Sequence, residues 1–417
     1  MEPKIRLKGC CGDWKTSSLS QVATMHARIG WQNLRKDEFL PKGDYYLITG
    51  TNFVDGVIDY HSCYYVAEER YNQDKNIQLN EGSILITKDG TLGKVAYVDN
   101  LEKPATLNAG VFNVVCKMDI IDSRFLYQYL KSPRLMNYVN STATGGTIKH
   151  LNQNILVSFP VRFPENEEQK FIGTYFQHLD SLIQSTTKKI ESLKQVKAAS
   201  LQSMFPQEGE TVPRVRFKGF DGEWEKVVVG KMGTTYSGLS GKTKDDFGIG
   251  NARFITFLNV LSNAIIDTSI LESVNVSEGE HQNEVRKGDL LFNTSSETPE
   301  EVGMCAVMDK ELKNVYLNSF CFGFRITDAK IDSTFIAHLM RSHIGRRIMS
   351  ILAQGATRYN LSKNSFCNTE LLLPRTKEEQ HQIANYFTSL DSQITLHTQR
   401  LKKLKQIKSA CLDYMFV

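Results

Sequence analysis

The chain has 417 residues, 41% hydrophobic and 23% charged, so it can bury real cores and is neither disordered nor fibrous. At about 100 to 200 residues per domain it divides into two or three domains. Lys plus Arg number 50 against 46 Asp plus Glu, a formal charge of +4, which excludes a polybasic tail protein and leaves room for basic faces set against acidic ones. Met1 to Arg6 lacks the apolar stretch of a secretion signal, and no window approaches the roughly 18 apolar residues of a membrane span. A soluble, cytoplasmic protein without a membrane partner is expected. The eight cysteines, at 10, 11, 63, 116, 305, 321, 367 and 411, form no C-x-x-C pair, so free thiols are expected rather than a disulfide framework or a zinc ribbon.

In chain order, the opening Pro3-Lys-Ile-Arg-Leu-Lys-Gly9-Cys-Cys-Gly12-Asp-Trp14 leads to short β-branched and aromatic runs at 45–49, 83–87, 94–98 and 111–115, punctuated by Asp-Gly and Glu-Gly turns. A helix follows at 125–130. The element Thr144-Gly-Gly-Thr147-Ile-Lys149-His150-Leu-Asn152 comes next, and Pro164 marks the start of a long helix that ends at Pro206. The opening then returns 210 residues on as Pro213-Arg-Val-Arg-Phe-Lys-Gly219-Phe-Asp-Gly222-Glu-Trp224. A helix at 335–340, the element Gln354-Gly-Ala-Thr357-Arg358-Tyr359-Asn360-Leu-Ser362 and a second long helix after Pro374 complete the second copy, with Thr376-Lys-Glu-Glu379 reading as a capping box.

The chain is therefore written twice, and a repeat fixes architecture before any single motif does. The match sharpens in the long helices. Glu167-Glu-Gln169, Tyr175-Phe176, Leu179-Asp-Ser181 and Leu193-Lys-Gln-Val-Lys197 meet Glu378-Glu-Gln380, Tyr386-Phe387, Leu390-Asp-Ser392 and Leu404-Lys-Gln-Ile-Lys408, and Met204-Phe205 meets Met415-Phe416. Leu179, Ile183, Thr186, Ile190 and Leu193 advance by 4, 3, 4 and 3, as do Leu390, Ile394, His397, Leu401 and Leu404, a narrow seam by which two helices of about 35 to 40 residues, roughly 55 Å, pair with each other. The middle portions, about 20–75 and 235–280, barely resemble one another. The expected fold class is α+β, with two pseudo-two-fold-related globular domains joined by a long antiparallel two-helix coiled-coil spacer.

Two diverged modules about a pseudo-dyad match the symmetry of duplex DNA, whose turn of about 34 to 36 Å a helix pair could span as a ruler. A rod holding two protein-binding modules apart is the open alternative. The loops favour DNA: small residues allow close approach of backbone, and hydroxyl, amide and basic groups suit phosphates and base edges. The candidate contacts are Lys88, Thr91, Lys94, Thr147, Lys149, His150 and Asn152 in the first half. In the second they are Lys242, Lys244, Ser295, Ser296, Thr357, Arg358, Tyr359 and Asn360. Each loop is equally open to being a plain structural turn. A basic stripe off the seam, Lys188, Lys189, Lys194 and Lys197 with Arg400, Lys402, Lys403, Lys405 and Lys408, is a further phosphate candidate or a solvated face.

The doubled order of variable unit and matched helix, the two P-x-[IV]-R-[LF]-K-G-x-x-G-x-W openings, the Gly145-Gly-Thr-Ile-Lys-His-Leu-Asn152 element and the Glu-Glu-Gln and Leu-Asp helices together resemble the DNA-specificity subunit of type I restriction-modification systems, over essentially the whole chain. The resemblance implies target recognition domains at 1–163 and 207–373, each reading one half of a bipartite site, and spacer helices at 164–206 and 374–417. It implies double-stranded DNA as partner, modification subunits, expected to be two, that methylate adenine, and restriction subunits that cleave. S-adenosylmethionine, ATP and magnesium then belong to those partners, and this chain carries no catalysis. An orphan copy, or a protein spacer that binds no DNA, is the alternative.

Catalytic motifs are weak. A methyltransferase needs a glycine-rich cofactor loop and an Asn/Asp-Pro-Pro-aromatic motif, and neither is present; Phe247-Gly-Ile-Gly250 lacks the spacing. Gly238-Leu-Ser-Gly241-Lys242-Thr243 imitates a phosphate loop but has Tyr236 where glycine is required. Asp13-Trp14-Lys15 resembles a nuclease fragment, yet its repeat is Glu223-Trp224-Glu225, so both tryptophans read as core anchors. The nine histidines form no H-x-x-x-H pair.

Overall fold

The computed structural model describes residues 3–6, 8–142 and 151–416. They form two compact units, Met1–Thr187 with Gln399–Val417, and Lys188–Thr398. Each long helix therefore contributes one segment to each unit.

The two units repeat one topology. In the first, an antiparallel sheet runs Ala23–Ala27, Val111–Cys116, Ile84–Thr87, Val95–Tyr97; in the second it runs Gly233–Ser237, Cys321–Ile326, Leu290–Asn293, Cys305–Val307. Strand side chains alternate between faces, and here both faces are buried. Ile84 and Ile86 enter a core with Trp14, Phe125 and Phe176, while Leu85 between them enters a second core with Tyr46, Ile48 and Leu107. Leu290 and Phe292 are divided from Leu291 in the same way. The second core lies under a three-stranded sheet whose middle strand, Tyr45–Ile48 or Phe247–Ile255, is antiparallel to one neighbour and parallel to the other. The shared scaffold thus runs through the portions whose sequences diverge.

The repeated motifs turn out to be its joints. Arg6 donates to both carboxylate oxygens of Glu168 at 2.9 and 2.7 Å and to the carbonyl of Gly12, and Arg216 makes the same bonds to Glu379 at 2.7 and 2.8 Å and to Gly222. A paired, bidentate guanidinium fixes the opening segment on the first turn of the long helix. Glu379 is thereby diverted from the expected capping box: Thr376 Oγ1 still accepts from the Glu379 N–H at 3.3 Å, but the carboxylate goes to Arg216. Gln169 and Gln380 accept from the N–H groups of Asp122 and Asp332, and those aspartates cap the helices Ser123–Lys131 and Ser333–Arg341. Each of these helices ends in a cation that reaches the variable part. Lys131 donates to the carbonyl of Asp55 at 2.7 Å, and Arg341 to those of Cys305 and Asn263, both at 2.6 Å. Trp14 and Trp224 anchor the cores edge-on to Phe125 and Phe335.

The long helices are Asn166–Ser203 and Lys377–Tyr414, 38 residues each. Their segments pair antiparallel within each unit. In the first, Tyr175 meets Cys411, Asp180 meets Lys408 and Phe176 stacks on Phe416. In the second, Ser200 meets Tyr386, Lys197 meets Asp391 and Phe205 stacks on Phe387. Leu179, Ile190, Leu193 and Leu390 are buried, and Ile183, Ile394, Leu401 and Leu404 are half-buried. Lys197 and Lys408 are not members of an open basic stripe, because both are held in these ion pairs. The remaining cations of that stripe are exposed.

Candidate nucleic-acid interface

In the second unit the chain leaves the central strand at Asn293, whose buried amide pins the loop that follows. Its Nδ2 donates to the carbonyls of Ser295 at 3.3 Å and Glu301 at 2.8 Å, and its Oδ1 accepts from the N–H of Met304. Ser295–Ser296 then pairs with Tyr359–Leu361, which pairs in turn with Ala353–Gln354. Ser295 faces Asn360 and Ser296 faces Tyr359, so four residues singled out in two distant loops meet in one small sheet. Thr357, Arg358 and Asn360 are exposed and Tyr359 is half-buried. Arg358 Nε lies 3.3 Å from Ser295 Oγ, and its guanidinium stands 6.0 Å from the ring centre of Phe320. The hydroxyl of Ser296 donates to Glu301 at 2.9 Å.

Lys242 and Lys244 belong to a different loop, tied to residues 277–282. Lys242 is largely buried and paired with Glu280 at 2.5 Å, and it holds that carboxyl down to about 2, with help from Gln282 and the Ser277 N–H. Its ammonium meets a phosphate only if that pair opens. Lys244 is exposed.

In the first unit Lys88 follows the central strand, with its ammonium 5.5 Å from the ring centre of Phe112. Lys88, Asn152, Gln153, Asp89 and Phe112 line an open cleft of about 460 Å³. Thr91 and Lys94 are exposed on the turn beside it, which Thr87 Oγ1 fixes by donating to the Thr91 carbonyl and accepting from the Lys94 N–H. Thr147, Lys149 and His150 lie outside the described residues.

The two interfaces are built on the same backbone. Leu151 and Leu361 each donate from N–H to the carbonyl of the residue that follows the central strand, Lys88 at 2.9 Å and Thr294 at 2.8 Å. The side chains presented on it differ, with Lys88 and Asn152 in the first unit where the second has Thr294 and Ser362. Two residues went unnoticed in the sequence: Phe320, exposed on the turn beside Arg358, and Lys363, which donates to Ser237 Oγ at 2.8 Å. An aromatic at 320 where the repeat has Gly110 was the available signal.

Among the described residues, no three His, Cys, Asp or Glu side chains converge as a metal would require, and no helix is long and apolar enough to cross a membrane. Lys15, of the nuclease-like fragment, pairs with Glu165 at 2.7 Å.

A model of the type I restriction modification DNA specificity domain matches residues 12–195 and again 222–406. The chain belongs to this family. It is 21% identical to the type I restriction enzyme MjaVIII specificity subunit of Methanocaldococcus jannaschii, over 96% of each chain. It is 20% identical to the EcoKI specificity subunit of Escherichia coli K12, over 94% of this chain and 87% of that one. In fold it is similar to the crystal structure of the S subunit of a type I restriction-modification system from M. genitalium, with a TM-score of 0.65 at 16% identity, covering 100% of this chain and 99% of that one. The two family domains coincide with the two copies of the scaffold, so the specificity domain is the repeated unit itself.

Proposed function

We propose that this specificity subunit gives a restriction-modification complex its address by reading a bipartite DNA target. Residues 1–163 and 207–373 act as target recognition domains, and the helices at 164–206 and 374–417 act as an antiparallel coiled-coil spacer that sets the unread gap. The observation that carries this reading is one scaffold presenting two unlike surfaces. Lys88 and Asn152 stand in one unit where the Ser295, Ser296 and Arg358 group stands in the other, and two unlike surfaces suit two unlike half-sites. The exposed donors, Lys94, Thr357, Arg358 and Asn360, are of the kinds that meet phosphates and base edges.

On this reading the chain is not catalytic and works in the cytoplasm. It binds double-stranded DNA and docks two modification subunits, which hold S-adenosylmethionine and methylate adenine. Restriction subunits that use ATP and magnesium complete the complex. The test is modification-sensitive sequencing of the source genome with and without this gene. A split motif of methylated adenines should vanish on deletion; an unchanged methylome would sink the reading in favour of an orphan copy or a spacer that binds no DNA.

A further inference from the structure

The turn that follows the parallel edge strand keeps the same backbone hydrogen bonds in the two units, and only the asparagine side chain is used differently. Asn108 Oδ1 accepts from the N–H of the next residue, Ala109, at 2.8 Å, and Asn318 Oδ1 accepts from that of the second residue on, Phe320, at 2.9 Å. The carbonyl of Asn108 takes the N–H of Val111, and that of Asn318 takes the N–H of Cys321. Gly110 then accepts from the N–H of Lys88, and Phe320 from that of Thr294, both at 2.9 Å. The backbone therefore asks for no side chain at this position, since glycine serves it in the first unit. Phe320 nevertheless places a ring there that is 58% exposed, beside the guanidinium of Arg358, whose Nε in turn lies 3.3 Å from Ser295 Oγ. An aromatic left in water gains little for the fold, and a cation over its face fixes its orientation.

We infer that Phe320 is a specificity-determining residue, making an apolar contact to a base in the half-site read by the second unit, and that the first unit, with Gly110, has no such contact. The inference rests on the proposed DNA reading. Polar groups around the ring engage phosphates and base edges, while the ring reads the apolar part of a base, as phenylalanine does against a thymine methyl.

The experiment uses the full chain assembled with its methyltransferase subunits and duplexes carrying the split target, with each base pair of both half-sites replaced in turn. F320G should bind the target but lose about tenfold discrimination at one base pair or adjacent step in one half-site. The other half-site and the salt dependence should stay as in the wild type, and F320L should retain part of the effect. F320G puts the first unit's glycine on the same backbone hydrogen bonds, so folding should be preserved. A discrimination profile that superimposes on the wild type, or affinity lost evenly across both half-sites, overturns the inference and leaves the recognition reading standing. A wild-type complex with no preference for any split sequence overturns that reading, and this inference with it.

Discussion

Phe416 stacks on Phe176, with ring centres 5.7 Å apart and planes 15° from parallel, although 240 residues of chain separate them. Both rings are buried, and Phe125 and Tyr129 close on Phe416 edge-on. The second unit has the same joint in Phe205 and Phe387, at 5.7 Å and 19°. Each unit is thus closed by the tail of the other copy's helix. The Met-Phe exits of the repeat match because each fills an equivalent socket.

Truncating the plug should open one unit at a time. F416A removes a fully buried ring and is expected to cost the first unit about 3 to 5 kcal/mol. Hydrogen exchange should show faster exchange within 1–187 and unchanged protection within 188–398, and F205A should give the reverse. Equal deprotection of both units by F416A would contradict the division.

The ion pairs beside these plugs are cross-copy too, Lys408 with Asp180 and Lys197 with Asp391. Lys408 is buried, and removing one partner of such a pair leaves a charge without compensation. K408M is expected to cost about 2 to 4 kcal/mol, and D180N added to it should return part of the loss. Urea unfolding of the four members of this double-mutant cycle gives the coupling; additive losses would mean that the pair contributes only packing.

His338 is fully buried in the second unit. Among the described residues neither ring nitrogen has a hydrogen-bond partner, and burial, with Lys197 and Arg341 nearby, depresses its pKa to about 3. The matched residue of the first unit, Gln128, instead donates to Asp180 at 3.0 Å. H338Q should donate likewise to Asp391 and stabilise the second unit by about 1 kcal/mol at pH 7. The unfolded histidine binds its proton near pH 6.5 and the folded one only near 3, so the wild type loses stability as pH falls through that window, at up to about 1.4 kcal/mol per pH unit. Melting temperatures from pH 7 to 4 should fall less steeply in H338Q. Parallel curves would show that His338 finds a partner in solution.

The duplication, the burial along the seam and the buried tryptophans were legible because each rests on local spacing: a 4-3-4-3 period for Leu179 to Leu193, and a shared P-x-[IV]-R-[LF]-K-G-x-x-G-x-W opening that ends at Trp14 and Trp224. What Arg6, Glu168, Asp180 and Lys408 do was not legible, because each finds its partner more than 160 residues away and sequence spacing says nothing of such pairs. Lys197 and Lys408 read as surface cations for the same reason. The portions 20–75 and 235–280 looked unrelated, yet each supplies two strands of the mixed three-stranded sheet: a strand needs only alternating burial, which many sequences supply. The sheet that joins Ser295 and Ser296 to Tyr359 and Asn360 pairs strands of two and three residues, too short to announce themselves by period.

Arg358 is exposed and, among the described residues, is held by Ser295 and Phe320 rather than by a carboxylate, which leaves its charge available to a phosphate. With about 6 to 10 phosphate contacts, the assembled complex should lose roughly 10³ to 10⁵ in affinity between 50 and 200 mM salt. R358A is expected to weaken binding to target and non-target duplexes alike and to reduce the logarithmic salt slope by about 1. An unchanged slope would remove Arg358 from the phosphate contacts, and a flat profile for the wild type would remove the electrostatic mode altogether.

The spacer proposal makes a demand on both helices at once. Asp180 and Lys197 bracket one helix, Lys408 and Asp391 bracket the other, and each residue is fixed to its partner within a unit. A heptad inserted only within residues 183–194 would put one helix out of register with those pairs and should destabilise the protein. The same insertion matched within 394–405 keeps both ion pairs and the seam. It lengthens the helices by about 10 Å, close to three base pairs of duplex. The methylated motif of a cell carrying the paired insertion should keep both half-sites and widen its gap by about three positions. Altered half-sites, or an unchanged gap in a folded and active protein, would show that the helices hold the units without measuring the target.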